Sequence, residues 1–152
     1  MYILDFLKKY NNKKIKLFVD MDGVIADYDV GVPSNYDKKR PLYDSIKKLE
    51  EVSKLDNVEL YILSITRMDE GYKQKNDWLD MYAPIFEKDK RVIISRESNN
   101  MISSSILKSN YLKNLKRDDS VIILIDDDPV ILKEVRKNNE DVILLKDTVL
   151  VD

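Results

Sequence analysis

Two short acidic segments carry most of the chemistry this chain can do: Asp20-Met21-Asp22-Gly23 and Asp126-Asp127-Asp128-Pro129. Each directly follows a run of apolar residues, Phe18-Val19 in the first case and Leu124-Ile125 in the second. Carboxylates gathered in one place repel one another and raise each other's pKa unless a cation lies between them. A hard divalent ion meets that need, and Mg²⁺ typically takes one or two carboxylates together with waters and phosphate oxygens. The bland alternative is a pair of polar strand-to-helix turns, with Asp126 to Asp128 capping the helix that follows. A third segment, Leu63-Ser64-Ile65-Thr66-Arg67, places hydroxyls where an apolar run stops. There the Ser64 hydroxyl and the next amide could hold a phosphate oxygen, although serine and threonine also cap helices.

These segments need strands to position them. Five short, β-branched, apolar runs recur: Ile15–Val19, Val58–Leu63, Arg91–Ser95, Val121–Ile125 and Asp141–Leu145. They are too short for helices and too continuously apolar for half-exposed strands, so they predict buried parallel strands. Stretches of helical period lie between them. Pro41 is expected to open one, with Leu42, Ile46, Leu49 and Val52 along one face. Others run about Asp69–Tyr82, Ser104–Lys116 and Pro129–Lys137. This alternation specifies an α/β fold, a five-stranded parallel sheet with helices on both faces. In such sheets ligands bind beyond the carboxyl ends of the strands, where the acidic segments stand.

Composition removes much else. With no cysteine and no histidine there is no disulfide, thiol nucleophile, Cys/His zinc site or Ser-His-Asp triad. The 26 basic and 28 acidic residues leave a net charge of −2, which argues against a protein that coats nucleic acid. No apolar run reaches the roughly 18 residues that cross a bilayer. The segment Met1–Tyr10 is amphipathic and lacks a small-residue cleavage site. The expectation is a soluble, cytoplasmic protein of 152 residues in one domain, with an N-terminal helix over 1–12, a core over about 13–147 and a flap loop over 26–40.

The order Asp-x-Asp-Gly-Val after strand one, a serine ending strand two and Asp-Asp after a later strand resembles the haloacid dehalogenase superfamily of phosphatases. The stretch Asp20-Met21-Asp22-Gly23-Val24-Ile25-Ala26-Asp27 is locally similar to its deoxyribonucleotidase branch, as is Leu124-Ile125-Asp126-Asp127. The resemblance implies a Rossmann-like fold and two-step phosphoryl transfer. Asp20 would attack phosphorus and form an aspartyl-phosphate. Asp22 would protonate the leaving oxygen and later activate water. Mg²⁺ would be held by Asp20, the Asp22 backbone carbonyl and Asp126, with Asp127 helping through water. Ser64 would bind phosphate, with Ile65, Thr66 and Arg67 beside it, and Arg96 resembles a substrate contact of the nucleotidase branch. The family also needs one lysine at the phosphate. Lys75, three residues before Trp78, fits the nucleotidase pattern; Lys108, on the helix before the Asp-Asp strand, fits the wider superfamily.

Family members that act on small metabolites usually carry a cap domain, and neither gap here has room for one. The chain resembles the capless class, whose substrate is often a macromolecule that covers the site itself. The flap residues Tyr28, Tyr36 and Lys38-Lys39-Arg40 could stack a base and hold a backbone phosphate, or simply form a solvated flap. The expected activity is a phosphomonoesterase acting on a nucleotide or nucleic-acid terminal phosphate. The alternatives are a phosphoprotein or sugar-phosphate phosphatase and a non-catalytic metal- and phosphate-binding module. The expected partners are that substrate and, where a neighbouring subunit closes the site, a second copy of the chain, with no membrane.

Overall fold

A computed structural model describes residues 2–28 and 36–151 of the chain. Five parallel strands form one sheet: β1 (Ile15–Val19), β2 (Val58–Thr66), β3 (Arg91–Ser95), β4 (Val121–Asp126) and β5 (Val142–Lys146), in the order β3-β2-β1-β4-β5. Five helices accompany them: α1 (Ile3–Leu7), α2 (Tyr43–Ser53), α3 (Gly71–Tyr82), α4 (Ser104–Asn114) and α5 (Pro129–Asn138). The α/β class expected from the apolar runs is the observed one.

Alternation along the strands divides the core in two, because successive side chains leave a strand on opposite faces. Ile15, Leu17 and Val19 of β1 join Leu60, Ile62, Ile123 and Ile125 on one face, under Leu49 and Val52 of α2 and Trp78 and Leu79 of α3. Phe18, Leu63, Ile122 and Leu124 occupy the other face, under Leu112 of α4 and Ile131, Leu132 and Val135 of α5. Phe18 is fully buried and stacks on Tyr61 at 4.7 Å. The chain leaves β1 toward β2 and β3, then crosses back to β4 and β5. The direction of winding therefore reverses between β1 and β4, at the point where open α/β sheets form their crevice.

The structure shifts several expected boundaries. Strand β2 runs three residues beyond its apolar run, because β3 pairs with it through Ile65↔Ile94 and Thr66↔Ser95. Backbone pairing with a neighbour thus carries the strand past the point where its side chains turn polar, and Ser64 lies inside β2. Strand β4 gains Asp126 through its pairing with Lys146. Strand β5 starts at Val142, while Asp141 before it is tied to Arg117 at 2.6 Å. Pro41 bridges to Ala26 instead of opening α2, which begins at Tyr43. At α5, Pro129 opens the helix and the Asp128 carboxylate accepts from the Val130 N–H at 2.9 Å. The capping reading therefore describes Asp128, and Asp126 joins the same turn by accepting from the Asp128 N–H at 3.0 Å.

The N-terminal helix is short, Ile3–Leu7 with a 3-10 turn over Lys8–Tyr10. The flap expected over 26–40 is described at its two ends only; Gly31 and Pro33 lie outside the described residues. Among the described residues, the connection from β1 to α2 holds one 3-10 turn (Tyr36–Lys38), and that from β2 to β3 holds α3 and the turn Lys88–Lys90. No helix among them is long and apolar enough to cross a membrane.

Candidate active site

The parity of the strands decides what meets at the crevice. Asp20 continues the Phe18 side of β1, and Asp126 continues the Ile122–Leu124 side of β4; both face α4. From α4, the Lys108 ammonium donates to Asp20 Oδ1 at 2.8 Å and to Asp126 Oδ2 at 2.6 Å. All three residues are buried. Asp127 completes the group, with one carboxylate oxygen each from Asp20, Asp126 and Asp127 lying within 4.8 Å of one another. The Asp127 Oδ1 atom is buried and has no hydrogen-bond partner among the described residues.

This grouping is electrostatically costly. Burial pushes the Asp20 carboxyl up to about 7, with Lys108 pulling it down and Asp126 pushing it further up. Burial, then the neighbouring Asp126, raises Asp127 to about 6. Burial lowers the Lys108 ammonium, but Asp20 and Asp126 outweigh it and leave that group above its ordinary value. Three carboxylates held together, one with an orphaned buried oxygen, form an all-oxygen donor set that suits a hard divalent cation such as Mg²⁺. The residues present fit that ion.

A second lysine serves the opposite face of the sheet. Ser64 shares the Leu60–Ile62 side of β2, which faces α3. There the Lys75 ammonium donates to Ser64 Oγ at 2.6 Å, to the Ile65 carbonyl at 2.8 Å and to Asp22 Oδ2 at 3.3 Å. Asp22 is brought back toward the sheet by a tight turn in which the Met21 carbonyl accepts from Val24, Ile25 and Ala26. Gly23 makes the turn with φ +81°, and a Cβ there would collide with the Asp127 carboxylate and the Tyr28 ring. Burial pushes Asp22 up, but Lys75 and then Lys39 outweigh it and hold its carboxyl below the usual range.

The flap adds a third cation. Lys39 Nζ lies 2.6 Å from Asp22 Oδ1 and 4.8 Å from the Tyr36 ring centroid. Tyr36 packs edge-on against Trp78, whose indole N–H donates to the Lys39 carbonyl at 3.0 Å. Asp22, Tyr36, Lys39 and Lys75 line a cleft of about 610 Å³ together with Ile65, Thr66 and Arg67.

The structure thus brings Asp20, Asp22, Ser64, Lys75, Lys108, Asp126 and Asp127 to one crevice. The two lysines turn out to serve different carboxylates. Thr66 lines the cleft, but its hydroxyl donates to the Met68 carbonyl at 3.2 Å. Arg96 is not brought to the cluster: its guanidinium donates to the Met101 and Ile102 carbonyls, both at 2.9 Å, and so ties down the turn before α4. Lys39 and Tyr36 are site residues that sequence reasoning left in a basic, aromatic flap. The signal available was their position just before Pro41, which has to return beside the Asp22 turn.

No family model matches the chain, and no curated protein matches it. Among the solved structures similar in fold are two of related assemblies. One is a chain in the structure of a Pnkp1/Rnl/Hen1 complex, with TM-score 0.68 and 14% identity over 88% of this chain and 46% of that one. The other is a chain in the Pnkp1/Rnl/Hen1 RNA repair complex, with TM-score 0.64 and 15% identity over 89% of this chain and 43% of that one. The present chain spans less than half the length of these structural neighbours. At such identities the similarity shows a shared fold, the Rossmann-like order of strands on which the crevice is built.

Proposed function

We propose that this chain is a single-domain, cytoplasmic, Mg²⁺-dependent phosphomonoesterase that works through an aspartyl-phosphate on Asp20 and acts on a nucleic-acid terminal phosphate. One observation carries the reading: Asp20, Asp126 and Asp127 converge beside Asp22, with a buried lysine on each side of the sheet to hold them. The fold similarity to chains of RNA repair assemblies supports a nucleic-acid end over a free metabolite. So does the open cleft, over which the described residues form no cap and which a polymer end could cover.

Lys108 orients the Asp20 carboxylate toward the crevice. The carboxylate oxygen bonds to phosphorus as the bond from phosphorus to the leaving alcohol oxygen breaks. Asp22, at the turn above, is placed to give that oxygen a proton. It must first take that proton up, because Lys75 and Lys39 keep its carboxyl ionised while the cleft is empty. Ser64 donates to a non-bridging oxygen, and Lys75, which donates to the Ser64 hydroxyl, adds positive charge beside it as charge shifts onto the phosphoryl oxygens. Asp22 then takes a proton from water as its oxygen bonds to phosphorus, and the bond to Asp20 breaks to release phosphate. Asp20, Asp126 and the Asp22 carbonyl would hold Mg²⁺, with Asp127 beside them, and the ion would supply positive charge that offsets the repulsion between a carboxylate and a phosphate dianion.

The test is phosphate release from p-nitrophenyl phosphate with and without Mg²⁺. Expected is Mg²⁺-dependent turnover that Asp20→Asn abolishes. A protein that binds Mg²⁺ yet is inert on every phosphomonoester would overturn the proposal. Comparing phosphorylated oligonucleotides with nucleoside monophosphates, sugar phosphates and phosphopeptides reads the substrate class, and oligonucleotides are expected to give the highest kcat/KM.

A further inference from the structure

Among the described residues three lysines reach the crevice, and Lys39 is the most exposed of them. The Lys108 side chain is 2% exposed and wedged between two carboxylates, and that of Lys75 is 4% exposed with three acceptors. The Lys39 side chain is 11% exposed, lies on the cleft wall and donates to a single acceptor, Asp22 Oδ1. An ammonium has three N–H groups. Among the described residues, the other close neighbours of the Lys39 ammonium are the rings of Tyr36 and Tyr28, at 4.8 and 6.0 Å. Two of its donors therefore meet no oxygen of the described residues.

The backbone carrying this side chain is anchored. The Trp78 indole holds the Lys39 carbonyl, and the Asp27 N–H donates to the Arg40 carbonyl at 2.8 Å. A change of partner at Nζ thus needs side-chain rotation alone. We propose that Lys39 is a phosphate ligand, held on Asp22 while the cleft is empty, whose ammonium moves to the phosphoryl oxygens of a bound phosphomonoester. The location of that phosphate, beside Asp20 and Ser64, rests on the phosphatase reading. Among the described residues Lys39 has the fewest acceptors of the three lysines, one against two for Lys108 and three for Lys75, and a phosphate dianion in the cleft offers more charge than one carboxylate oxygen does. Moving the side chain also alters the surroundings of Tyr36 and, through the edge-on packing of that ring, of Trp78. That residue is the only tryptophan, so the change has a single optical reporter.

The experiment titrates inorganic phosphate into the Mg²⁺-loaded full chain, by calorimetry and by tryptophan fluorescence, for the wild type, Lys39→Gln and Lys39→Arg. Expected is a Trp78 response that tracks phosphate binding in the wild type. Lys39→Gln should weaken that binding about 10- to 100-fold, the range for a lost charged hydrogen bond, and remove the response. Lys39→Arg should retain most of both. A Lys39→Gln protein that melts lower yet binds phosphate like the wild type would reduce Lys39 to a structural clamp. Calorimetric binding with silent Trp78 fluorescence, or no uptake of phosphate by the wild type, would also overturn the assignment. Lys39-dependent phosphate binding without turnover of any phosphomonoester would remove the phosphatase reading and leave the phosphate ligand in place.

Discussion

The Lys108 ammonium sits 2.8 Å from Asp20 Oδ1, across 88 positions of sequence and out of reach of solvent. The contact exists because Asp20 leaves β1 on the face that α4 covers, while Asp22, past the strand, turns toward the face that α3 covers. Each acidic residue of the Asp-x-Asp pair thereby acquires its own lysine.

Removing the Lys108 charge should therefore damage stability and turnover together. Lys108→Met leaves Asp20 and Asp126 buried without a cation, and breaking such a pair costs about 3–5 kcal/mol. Melting of the metal-free protein reads that loss, and steady-state kinetics on p-nitrophenyl phosphate should show a drop in kcat of at least about 100-fold. A Lys108→Met protein with wild-type stability and kcat would contradict the pairing.

The metal-free protein should lose stability as pH rises. Asp20, shifted from 3.8 up to about 7, and Asp127, up to about 6, keep their protons in the folded state where the unfolded chain has already released them. Their contribution is fully present below about pH 4, fades between there and about pH 7, and is then gone. Asp22 has the opposite sign: its lowered pKa adds stability above its ordinary value, lost as pH falls through the folded-state pKa. Tm measured from about pH 5 to pH 8 should fall without metal, and Asp20→Asn should flatten the fall. Saturating Mg²⁺ should reverse the slope, because the ion binds the deprotonated carboxylates.

Gly23→Ala tests the turn that carries Asp22. A Cβ at this position meets the Asp127 carboxylate on a backbone with φ +81°. The expected cost is about 1–3 kcal/mol of stability, together with weaker Mg²⁺ binding as Asp127 is displaced. Calorimetric titration of Mg²⁺ measures the second effect, and unchanged affinity would show that Asp127 stands apart from the ion.

Arg67 and Arg96 should separate cleanly. Arg67 lines the cleft, so Arg67→Ala is expected to raise KM for oligonucleotide substrates. Arg96 holds the Met101 and Ile102 carbonyls, so Arg96→Ala should lower Tm by a few degrees and leave KM unchanged. A KM effect at Arg96 would mean that its side chain leaves those carbonyls when substrate binds.

Much of this arrangement is legible in the sequence because buried parallel strands must be continuously apolar. Ile15–Val19 and Arg91–Ser95 occupy the spans their composition indicates. The end of β2 is not legible, since pairing with β3 extends it through Thr66, and the choice of partner strand leaves no local trace. The two lysines could be weighed as alternatives but not resolved by pattern. Resolving them needs the side-chain parity of Ser64 against that of Asp20, and the face on which each helix packs. Lys39 stays hidden for a related reason: in a run of three basic residues, only the fold turns one of them inward onto Asp22.

The central claim, covalent transfer of phosphoryl to Asp20, is tested most directly by acid-quenching the Mg²⁺-loaded protein during turnover of a phosphomonoester labelled on its phosphate. Expected is label bound covalently to the wild-type chain, released by hydroxylamine as an acyl phosphate is, and absent from Asp20→Asn. Turnover that proceeds with no label on the protein, or label that persists in Asp20→Asn, would contradict the assignment of Asp20 as nucleophile.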